Sequence, residues 1–315
     1  MSLPVSVIVP IFNQGDYALR AIDSLCAQTY DNLQIIVVDD GSSDGSAKRV
    51  RQHFGAKITL LEQENAGPSA ALNAGLRIAQ GDIIALMGGD DIATQDRITH
   101  QAAILGTANW DVVFSKPQLI NETGAPIRDG LYPVFFQPPR ESNLLRSLFF
   151  DDNYLCAPSA TMRRSVIDAV GPFHEGLIQL QDYDYWLRAA GQGYRLGLFD
   201  HRIVAYRRHT GNLSAATRDL ATRTEIPIVL ESVLQTARPS VLRQTFPEFT
   251  QPVADPEAPL NLFEQSAVLL AHPRQEVKMR GLTKAIAFAK DTQGAAAGTK
   301  PHLFRYIYNA GNAIR

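Results

Sequence analysis

The sequence predicts an α/β fold, with a mostly parallel sheet flanked by helices. Short runs rich in β-branched residues, such as Val5–Val9 and Gln34–Val38, alternate along the chain with segments whose apolar residues recur at helical spacing. Such alternation is typical of parallel strands joined by right-handed crossover helices. Two acidic doublets, Asp39-Asp40 and Asp90-Asp91, each follow a strand. Because ligands of open α/β sheets bind at the carboxyl ends of strands, the doublets predict one shared site.

The elements of the first half can be assigned in chain order. The first strand stops at Pro10, and Asn13 and Asp16 are candidate caps of the helix that follows. A later helix is predicted over Gly67–Ala79. The further strands are predicted at Gln34–Val38, Lys57–Leu61, Asp82–Met87 and Asp111–Phe114.

The second half is less regular. Lys116–Pro139 is rich in turn signals and is predicted to be a loop, where an acceptor-binding insertion would lie. Helical or strand patterns return at Ser165–Val170, Asp182–Ala190 and Tyr194–Ala205. From about Leu220 onward, helical segments are broken by prolines. We therefore expect an α/β domain over residues 1–218 and a helical carboxy-terminal extension over residues 219–315.

The composition is that of an ordinary globular protein. Hydrophobic residues make up 45% and charged residues 20%, and the net charge of −2 gives no general case for nucleic-acid binding. The cysteines, Cys26 and Cys156, form no CxxC pair. The chain opens with Met1–Pro4 and enters a strand, so we expect no signal peptide and a cytoplasmic location, with the inner face of the membrane as an alternative.

Several common site motifs are missing from the sequence. It contains no GxxxxGK[ST] loop, no GxGxxG after the first strand, no HExxH and no GxSxG. An NTPase and a dinucleotide oxidoreductase are therefore not indicated. Adjacent carboxylates such as Asp90-Asp91 repel one another unless a cation joins them. The doublets thus predict a divalent metal and a nucleotide diphosphate.

The order of these motifs resembles the family 2 glycosyltransferases with the GT-A fold. In the first half, the matching segments are Val5–Asn13 (first strand and turn), Val37–Asp44 ("VDDGSxD"), Glu64–Gly75 ("NxGxxxARNxG") and Asp90-Asp91 (the metal-binding acidic motif). In the second half they are Gly171–Phe173 ("GGFDE"), Gln181–Arg188 ("EDYDLWLR") and Arg207–Ser214 ("RxHxGSxS"). The resemblance implies a GT-A glycosyltransferase.

The resemblance also implies the residues that hold the donor. Asp39 would accept a hydrogen bond from the nucleotide base, with Phe12 or Asn13 near the same ring. The other implied donor-binding residues are Pro10, Asn65, Gly67, Asn73, Asp90, Arg208 and His209. The implied ligands of Mn²⁺ or Mg²⁺ are Asp90, Asp91 and His209. Oxygen ligands suit these hard cations, which would neutralise the departing nucleoside diphosphate.

The implied general base is Asp182. It would take the proton of an acceptor hydroxyl while that oxygen attacks the anomeric carbon, with inversion of configuration. Because an aspartate with a pKa near 3.9 is a weak base, we expect burial to raise its pKa. From family tendency, the donor would be a UDP-sugar and the acceptor a glycan or a lipid-linked acceptor in surface polysaccharide synthesis.

Three departures from the family pattern leave alternatives open. Gly88 stands where a third Asp is usual, Leu72 where Arg is common, and Gln181 where Glu is usual. A catalytically weak or inactive nucleotide-sugar-binding assembly subunit is therefore the alternative. A nucleotidyltransferase would need a loop rich in glycine and Lys or Arg, which residues 10–20 lack.

Single residues also have simpler interpretations. Asp182 could be an acidic residue of the first helical turn, and Arg207 and Arg208 a solvated strand end. Trp186 and Leu187 are predicted to lie in the core.

The carboxy-terminal region is rich in basic residues. They are Arg274, Lys278, Arg280, Lys284, Lys290, Lys300, Arg305 and Arg315, with Phe304, Tyr306, Ile307 and Tyr308 among the last. One interpretation is a basic surface that associates with anionic lipid, near a lipid-linked acceptor. The other, which we favour, is a helical cap packed on the catalytic domain or on a second subunit, as in a homodimer.

Overall fold

The computed structural model describes residues 2–107, 109–128, 144–213 and 219–290. In these ranges the strands are β1 (Val5–Ile11), β2 (Leu33–Asp40), β3 (Thr59–Gln63), β4 (Ile83–Leu86), β5 (Ile92–Ala93), β6 (Val112–Ser115), β7 (Gln118–Ile120), β8 (Thr161–Arg163), β9 (Leu196–Phe199) and β10 (Val204–Arg207). The helices are α1 (Gly15–Cys26), α2 (Ser46–Phe54), α3 (Pro68–Ile78), α4 (Arg97–Gly106), α5 (Leu144–Phe150), α6 (Arg164–Val170), α7 (Gln181–Gly191), α8 (Asp219–Thr236), α9 (Pro239–Thr245), α10 (Leu262–Leu270) and α11 (Gln275–Lys290).

The main sheet has the strand order β3-β2-β1-β4-β8-β6-β9. Its pairings are parallel except for those of β8, which runs antiparallel to both β4 and β6. The predicted mostly parallel sheet is thus confirmed. A smaller sheet has the order β5-β10-β7, in which β10 is antiparallel to β5 and parallel to β7.

Strand β1 is apolar on both faces because helices cover both faces of the sheet. Val7 and Val9 belong to a core cluster that also contains Ile22 of α1. On the other face, α3 approaches the sheet closely at Gly75, where a Cβ atom would lie 2.5 Å from Cγ2 of Ile8. A glycine is therefore required there for helix and strand to pack at this distance.

The sheet register brings the predicted site segments to one edge. Ile11, at the end of β1, pairs with Asp39 of β2, and Ile8 pairs with Leu86 at the end of β4. The chain that leaves β4 continues to Asp90 and Asp91. The carboxyl ends of these neighbouring strands therefore carry both acidic doublets, as the sequence predicts.

The chain divides into two compact units. The first consists of Met1–Pro138, Asn153–Tyr185 and Tyr194–Ala215, and it contains every candidate site residue predicted above. The second consists of Pro139–Asp152, Trp186–Gly193 and Ala216–Arg315.

In the second unit, α8, α10 and α11 pack on one another. A cluster of Phe149, Phe246 and His272 rings lies in the same unit. A capping box of Asn261 and Glu264 begins α10.

The basic residues predicted near the carboxy terminus are partly paired with acids. Arg274 Nη2 lies 2.7 Å from Asp152 Oδ2. Glu231 is paired with two basic residues, through Oε1 with Lys284 Nζ at 2.8 Å and through Oε2 with Arg280 Nε at 3.6 Å. These contacts lie within the second unit, and both interpretations of the basic region stay predictions. The predicted Lys300, Phe304, Arg305, Tyr306, Ile307, Tyr308 and Arg315 lie outside the described residues.

A few predicted elements differ from the structure. Strand β3 begins two residues later than expected because a 3₁₀ turn occupies Gly55–Lys57. The predicted loop 116–139 contains β7, whose partner β10 lies far along the chain and gives no local signal. Trp186 and Leu187 are fully buried, as predicted. No helix in the described part of the chain has the length and apolarity needed to cross a bilayer.

Candidate active site

Asp39 presents an unsatisfied carboxylate oxygen at the end of β2. The residue is 3% exposed, and its Oδ2 accepts a hydrogen bond from the backbone N–H of Ser42 at 3.0 Å. Its Oδ1 is buried and has no hydrogen-bond partner among the described residues. A buried acceptor without a donor is unfavourable, so this atom fits a ligand that brings an N–H group.

The neighbouring Asp40 is fully engaged with the protein. Its Oδ1 accepts hydrogen bonds from Gln63 Nε2 at 2.7 Å and from the N–H of Ala66 at 3.0 Å. Its Oδ2 accepts the N–H of Gly67 at 2.8 Å. Asp40 therefore fixes the segment that contains the predicted donor-binding residues Asn65 and Gly67.

Asn65 is held close to the turn that follows the doublet. Gly41 has a φ of +77°, and a Cβ atom there would lie 2.7 Å from the backbone nitrogen of Asn65. This turn therefore depends on glycine both for its left-handed conformation and for the close approach of the two segments.

Phe12 and Asn13 lie beside the same turn. Asn13 adopts a positive φ of 51°, and its side-chain oxygen accepts the N–H groups of Ser43 at 2.8 Å and Asp44 at 3.3 Å. The ring of Phe12 is 47% exposed. Phe12 follows Ile11, the strand partner of Asp39, and an exposed aromatic ring can pack on the face of a planar base. Pro10 is also close, since it pairs with Val38 in the sheet.

Asp90 and His209 meet directly, although they are far apart in sequence. His209 Nε2 lies 2.8 Å from Asp90 Oδ2, which also accepts a hydrogen bond from Asn212 Nδ2 at 3.2 Å. The backbone N–H of Gly211 donates to His209 Nδ1 at 3.1 Å. Both side chains are about 15% exposed, at 14% for Asp90 and 15% for His209, so a ligand can reach them.

Asp91 lies deeper than Asp90. It is 1% exposed, its Oδ1 accepts the backbone N–H of Arg207 at 2.9 Å, and its Oδ2 has no hydrogen-bond partner among the described residues. Burial, and then the charge of Asp90, raise the pKa of Asp91 well above its usual range. The structure thus places two carboxylates together at a point where a cation would relieve their repulsion.

Arg207 fixes the segment around both carboxylates. Its Nε donates to the carbonyl of Asp90 at 2.7 Å, and its Nη1 donates to the carbonyls of Asn121 and Glu122, both at 3.0 Å. The side chain is fully buried, so the interpretation as a solvated strand end is wrong for Arg207. Arg208 is half-buried, and its backbone N–H donates to the carbonyl of Ile120 at 2.8 Å.

The donor set fits a divalent cation that is shared with a substrate. In the described residues, no group of three or more His, Cys, Asp or Glu side chains is arranged to hold a metal alone. Mg²⁺ is commonly bound through one or two carboxylates together with substrate phosphates, and carboxylates also suit Mn²⁺. Asp90, with the buried Oδ2 of Asp91 beneath it, offers that kind of partial site.

Gly88 leaves room for these carboxylates. A Cβ atom at this position would lie 2.5 Å from Asp91 Oδ2 and 2.9 Å from Asp90 Oδ1. The position where a third Asp is usual is therefore filled here by the side chains of the doublet.

Asp182 lies in the first turn of α7. Asn153 Nδ2 donates to its Oδ2 at 3.0 Å, and the N–H of Tyr183 donates to its Oδ1 at 2.7 Å. Burial raises the pKa of Asp182 to about 6, despite the opposing effect of these hydrogen bonds. This direction agrees with the expectation for a general base.

Asn73 makes contacts within the protein. Its Nδ2 donates to the carbonyl of Phe173 and to Glu175 Oε1, both at 2.9 Å, and its Oδ1 accepts the N–H of Phe173 at 2.9 Å. Asn73 therefore orders the "GGFDE"-like segment that precedes α7, and a contact with the donor remains a prediction.

Several residues around the site were not assigned from the sequence. Asn212 lies in the Arg207–Ser214 motif quoted above, which was the available signal. The resemblance implied that Arg207, as a neighbour of His209, faces the donor phosphates, whereas its Nε and Nη1 donate to backbone carbonyls. Tyr17 and Asn153 gave no local signal, because the residues that they contact, His209 and Asp182, lie in distant segments. Ser214, the last residue of that motif, lies outside the described residues.

The comparison with known families decides the class of protein. The model of Glycosyl transferase family 2 matches residues 6–171, more than half of the chain. The chain belongs to this family. It is 37% identical over 191 residues to an uncharacterized glycosyltransferase of Rickettsia conorii, a match that covers 58% of this chain and 31% of the relative. A second, from Rickettsia prowazekii, is 33% identical over 214 residues, covering 64% of this chain and 62% of the relative.

The chain thus spans less than two thirds of the length of these relatives. Among solved structures, it is similar to S. aureus TarS 1-349 in complex with UDP-GlcNAc, with a TM-score of 0.61, 18% identity and coverage of 98% of this chain and 88% of that chain. It is also similar to a mannosyltransferase from Pyrobaculum calidifontis in complex with GDP-Man and Mn2+. The TM-score is 0.53 and the sequence identity 19%, with coverage of 98% of this chain and 81% of that chain. The fold of this family 2 member is therefore GT-A-like.

Proposed function

We propose that this family 2 member is a metal-dependent, inverting glycosyltransferase that moves a sugar from a UDP-linked donor to a hydroxyl group. The acceptor would be a glycan or a lipid-linked acceptor in surface polysaccharide synthesis. The observation that carries the catalytic part is Asp182, whose pKa of about 6 leaves it ionised at neutral pH and yet more basic than an exposed aspartate.

The donor half of the proposal is supported by Asp39. Its unpartnered Oδ1 would accept the N3–H of uracil, while Phe12 would pack on the face of the base. Pro10, Asn13, Asn65 and Gly67 would shape the same pocket. A solved neighbour holds UDP-GlcNAc and another holds GDP-Man, so nucleotide choice within the proposal is open to direct test.

Asp90 would hold Mn²⁺ or Mg²⁺ together with the diphosphate, with Asp91 next to it. His209 would support this site by orienting Asp90 rather than as a direct ligand, because its Nε2 is directed at Asp90 and its Nδ1 accepts the N–H of Gly211. When bound, the cation supplies Lewis-acid stabilisation of the negative charge on the leaving group. The buried Arg207 keeps the backbone of Asp90 in place, and Arg208 is the further cationic residue proposed to face the phosphates.

The reaction would proceed by one displacement at the anomeric carbon. The acceptor oxygen would attack that carbon as its proton passes to a carboxylate oxygen of Asp182. The bond from the anomeric carbon to the phosphate oxygen would break, and its electron pair would leave with the nucleoside diphosphate. Asn153 would hold the carboxylate in position through its bond to Oδ2. A cytoplasmic location, at or near the inner face of the membrane, remains part of the proposal.

The alternative is a nucleotide-sugar-binding assembly subunit with weak or no catalysis. Gln181, in place of the usual Glu before the base, is the observation that favours it.

The two functions are separated by measuring UDP release from a panel of UDP-sugars with Mn²⁺ and mixed glycan acceptors. We expect acceptor-dependent release that falls by about 10²- to 10⁴-fold in Asp182→Asn while donor binding persists. The control Asp168→Asn alters an exposed carboxylate on α6 and should match wild type. Release that is unchanged in Asp182→Asn would contradict the assignment of the base.

A further inference from the structure

Tyr17 contacts both residues that border the Asp90 carboxylate. Its ring centroid lies 5.3 Å from that of His209, with 36° between the ring planes. The guanidinium carbon of Arg207 lies 4.6 Å from the same Tyr17 centroid. Tyr17 belongs to α1, whereas Arg207 ends β10 and His209 follows it. The Tyr17 side chain thus connects α1 with the segment that contains Arg207 and His209.

Arg207 is a fixed support for this ring. It is fully buried, and its hydrogen bonds to the carbonyls of Asp90, Asn121 and Glu122 hold the guanidinium group in place. A guanidinium over an aromatic face is attractive, and more so where water is excluded. The Tyr17 ring therefore packs against a guanidinium group that is itself held by three hydrogen bonds.

His209, in contrast, lies on a turn beyond the end of its strand. Its imidazole is fixed at Nε2 by Asp90, at Nδ1 by the N–H of Gly211, and on its face by Tyr17. The hydrogen bonds select the tautomer with the proton on Nε2, and the Tyr17 ring limits rotation of the imidazole about its own side chain.

We propose that Tyr17 is a positioning residue that holds the His209 imidazole with Nε2 directed at Asp90. The contacts run through the ring face, so a phenylalanine can make them and an aliphatic residue of similar size cannot. The consequence for metal binding rests on the function proposed above. The orientation of His209 does not, and it can be measured without metal or nucleotide.

The first experiment records long-range ¹⁵N–¹H spectra of the imidazole groups in the full chain, with a chelator present. His209→Asn assigns the signals of His209. We expect one Nε2–H tautomer in wild type and Tyr17→Phe, and averaged nitrogen shifts in Tyr17→Leu. Tyr30→Leu, which removes another tyrosine of the first unit, should match wild type. Wild-type His209 shifts in Tyr17→Leu, or averaging in Tyr17→Phe as well, would overturn the proposal.

The second experiment titrates Mn²⁺ by electron paramagnetic resonance in the presence of UDP. We expect Tyr17→Leu to weaken Mn²⁺ binding by about 10- to 100-fold, the usual effect of losing a group that orients a metal ligand. UDP binding without metal should be unchanged, and Tyr17→Phe should restore wild-type Mn²⁺ affinity. Equal loss of both kinds of binding would indicate a folding defect and overturn the positioning role. If wild type shows no Mn²⁺-dependent binding, the proposed function fails, while the imidazole spectra still decide the role of Tyr17.

Discussion

Asp39 and Asp40 are neighbours in sequence, and their carboxylates have opposite hydrogen-bond states. Both carboxylate oxygens of Asp40 accept hydrogen bonds, and the donors are Gln63, Ala66 and Gly67. Asp39 keeps one buried oxygen without a partner among the described residues. In one doublet, therefore, the first carboxylate is available to a ligand and the second holds the protein together.

This contrast predicts different results for the same substitution. Asp39→Asn should weaken binding of the nucleoside diphosphate by about 10- to 100-fold, since a hydrogen bond to a charged group contributes about 1.5–3 kcal/mol. Its melting temperature should stay close to that of wild type. Calorimetric titration and thermal unfolding measure the two effects.

Asp40→Asn is the matched control for that prediction. It should lower the free energy of unfolding by about 1–3 kcal/mol, because an amide cannot accept all the N–H groups that now donate to Asp40. The same result for both variants, in binding and in stability, would contradict the division of roles.

The raised pKa of Asp182 predicts the pH dependence of turnover. Since the base must be ionised, kcat should fall about tenfold per pH unit below pH about 6. Asn153→Ala removes a donor that favours the ionised form, so the acid limb should move to higher pH. Asn32→Ala, at an exposed position, is the control. If the acid side of the kcat–pH profile does not shift in Asn153→Ala, the hydrogen bond from Asn153 does not affect the pKa of Asp182.

The same pKa predicts a stability effect with a defined sign. The pKa of Asp182 is about 6 in the folded chain against 3.8 for an ordinary aspartate, so ionisation between these values disfavours the folded state. Asp182→Asn cannot ionise. Its stability relative to wild type should therefore rise by up to about 3 kcal/mol between pH about 4 and pH about 7. Urea unfolding at both pH values tests this, and a relative stability that is independent of pH would refute it.

Gly88 predicts an effect on the metal site. In Gly88→Ala the new Cβ atom would displace the carboxylates of Asp90 and Asp91, which lie 2.9 Å and 2.5 Å from its position. Mn²⁺-dependent binding should fall by about tenfold or more, while metal-free UDP binding through Asp39 is retained. Gly106→Ala is the control, since a Cβ atom there has no neighbour within 4 Å. Unchanged Mn²⁺ binding in Gly88→Ala would contradict this geometry.

The fold and the residues around the strand ends could be predicted from local patterns. Val5–Val9 reads as a buried strand and Asp90 follows another, so the shared edge of the sheet follows from topology alone. The pairing of β7 with β10 could not be predicted, because it depends on segments far apart in the chain.

The site also contains contacts that no local pattern reports. Arg207 looks like a solvated residue by composition, yet tertiary hydrogen bonds to backbone carbonyls bury it completely. Tyr17 has the appearance of an ordinary helical aromatic residue until the fold brings Arg207 and His209 against its ring. Long-range partners of this kind are set by packing and require the structure.

The most direct test of the proposed donor site is a binding panel of UDP, GDP, dTDP, CMP and NAD, each with and without Mn²⁺, followed by thermal unfolding. A ligand at a hundredfold excess over its Kd stabilises the folded state by about 2.7 kcal/mol, which is readily measured. We predict that UDP is the one nucleoside diphosphate whose stabilisation increases with Mn²⁺, that Asp39→Asn reduces this stabilisation, and that Asp90→Asn removes the part that depends on Mn²⁺. If no nucleotide in the panel gives stabilisation that depends on Mn²⁺, the result would contradict the proposed glycosyltransferase site.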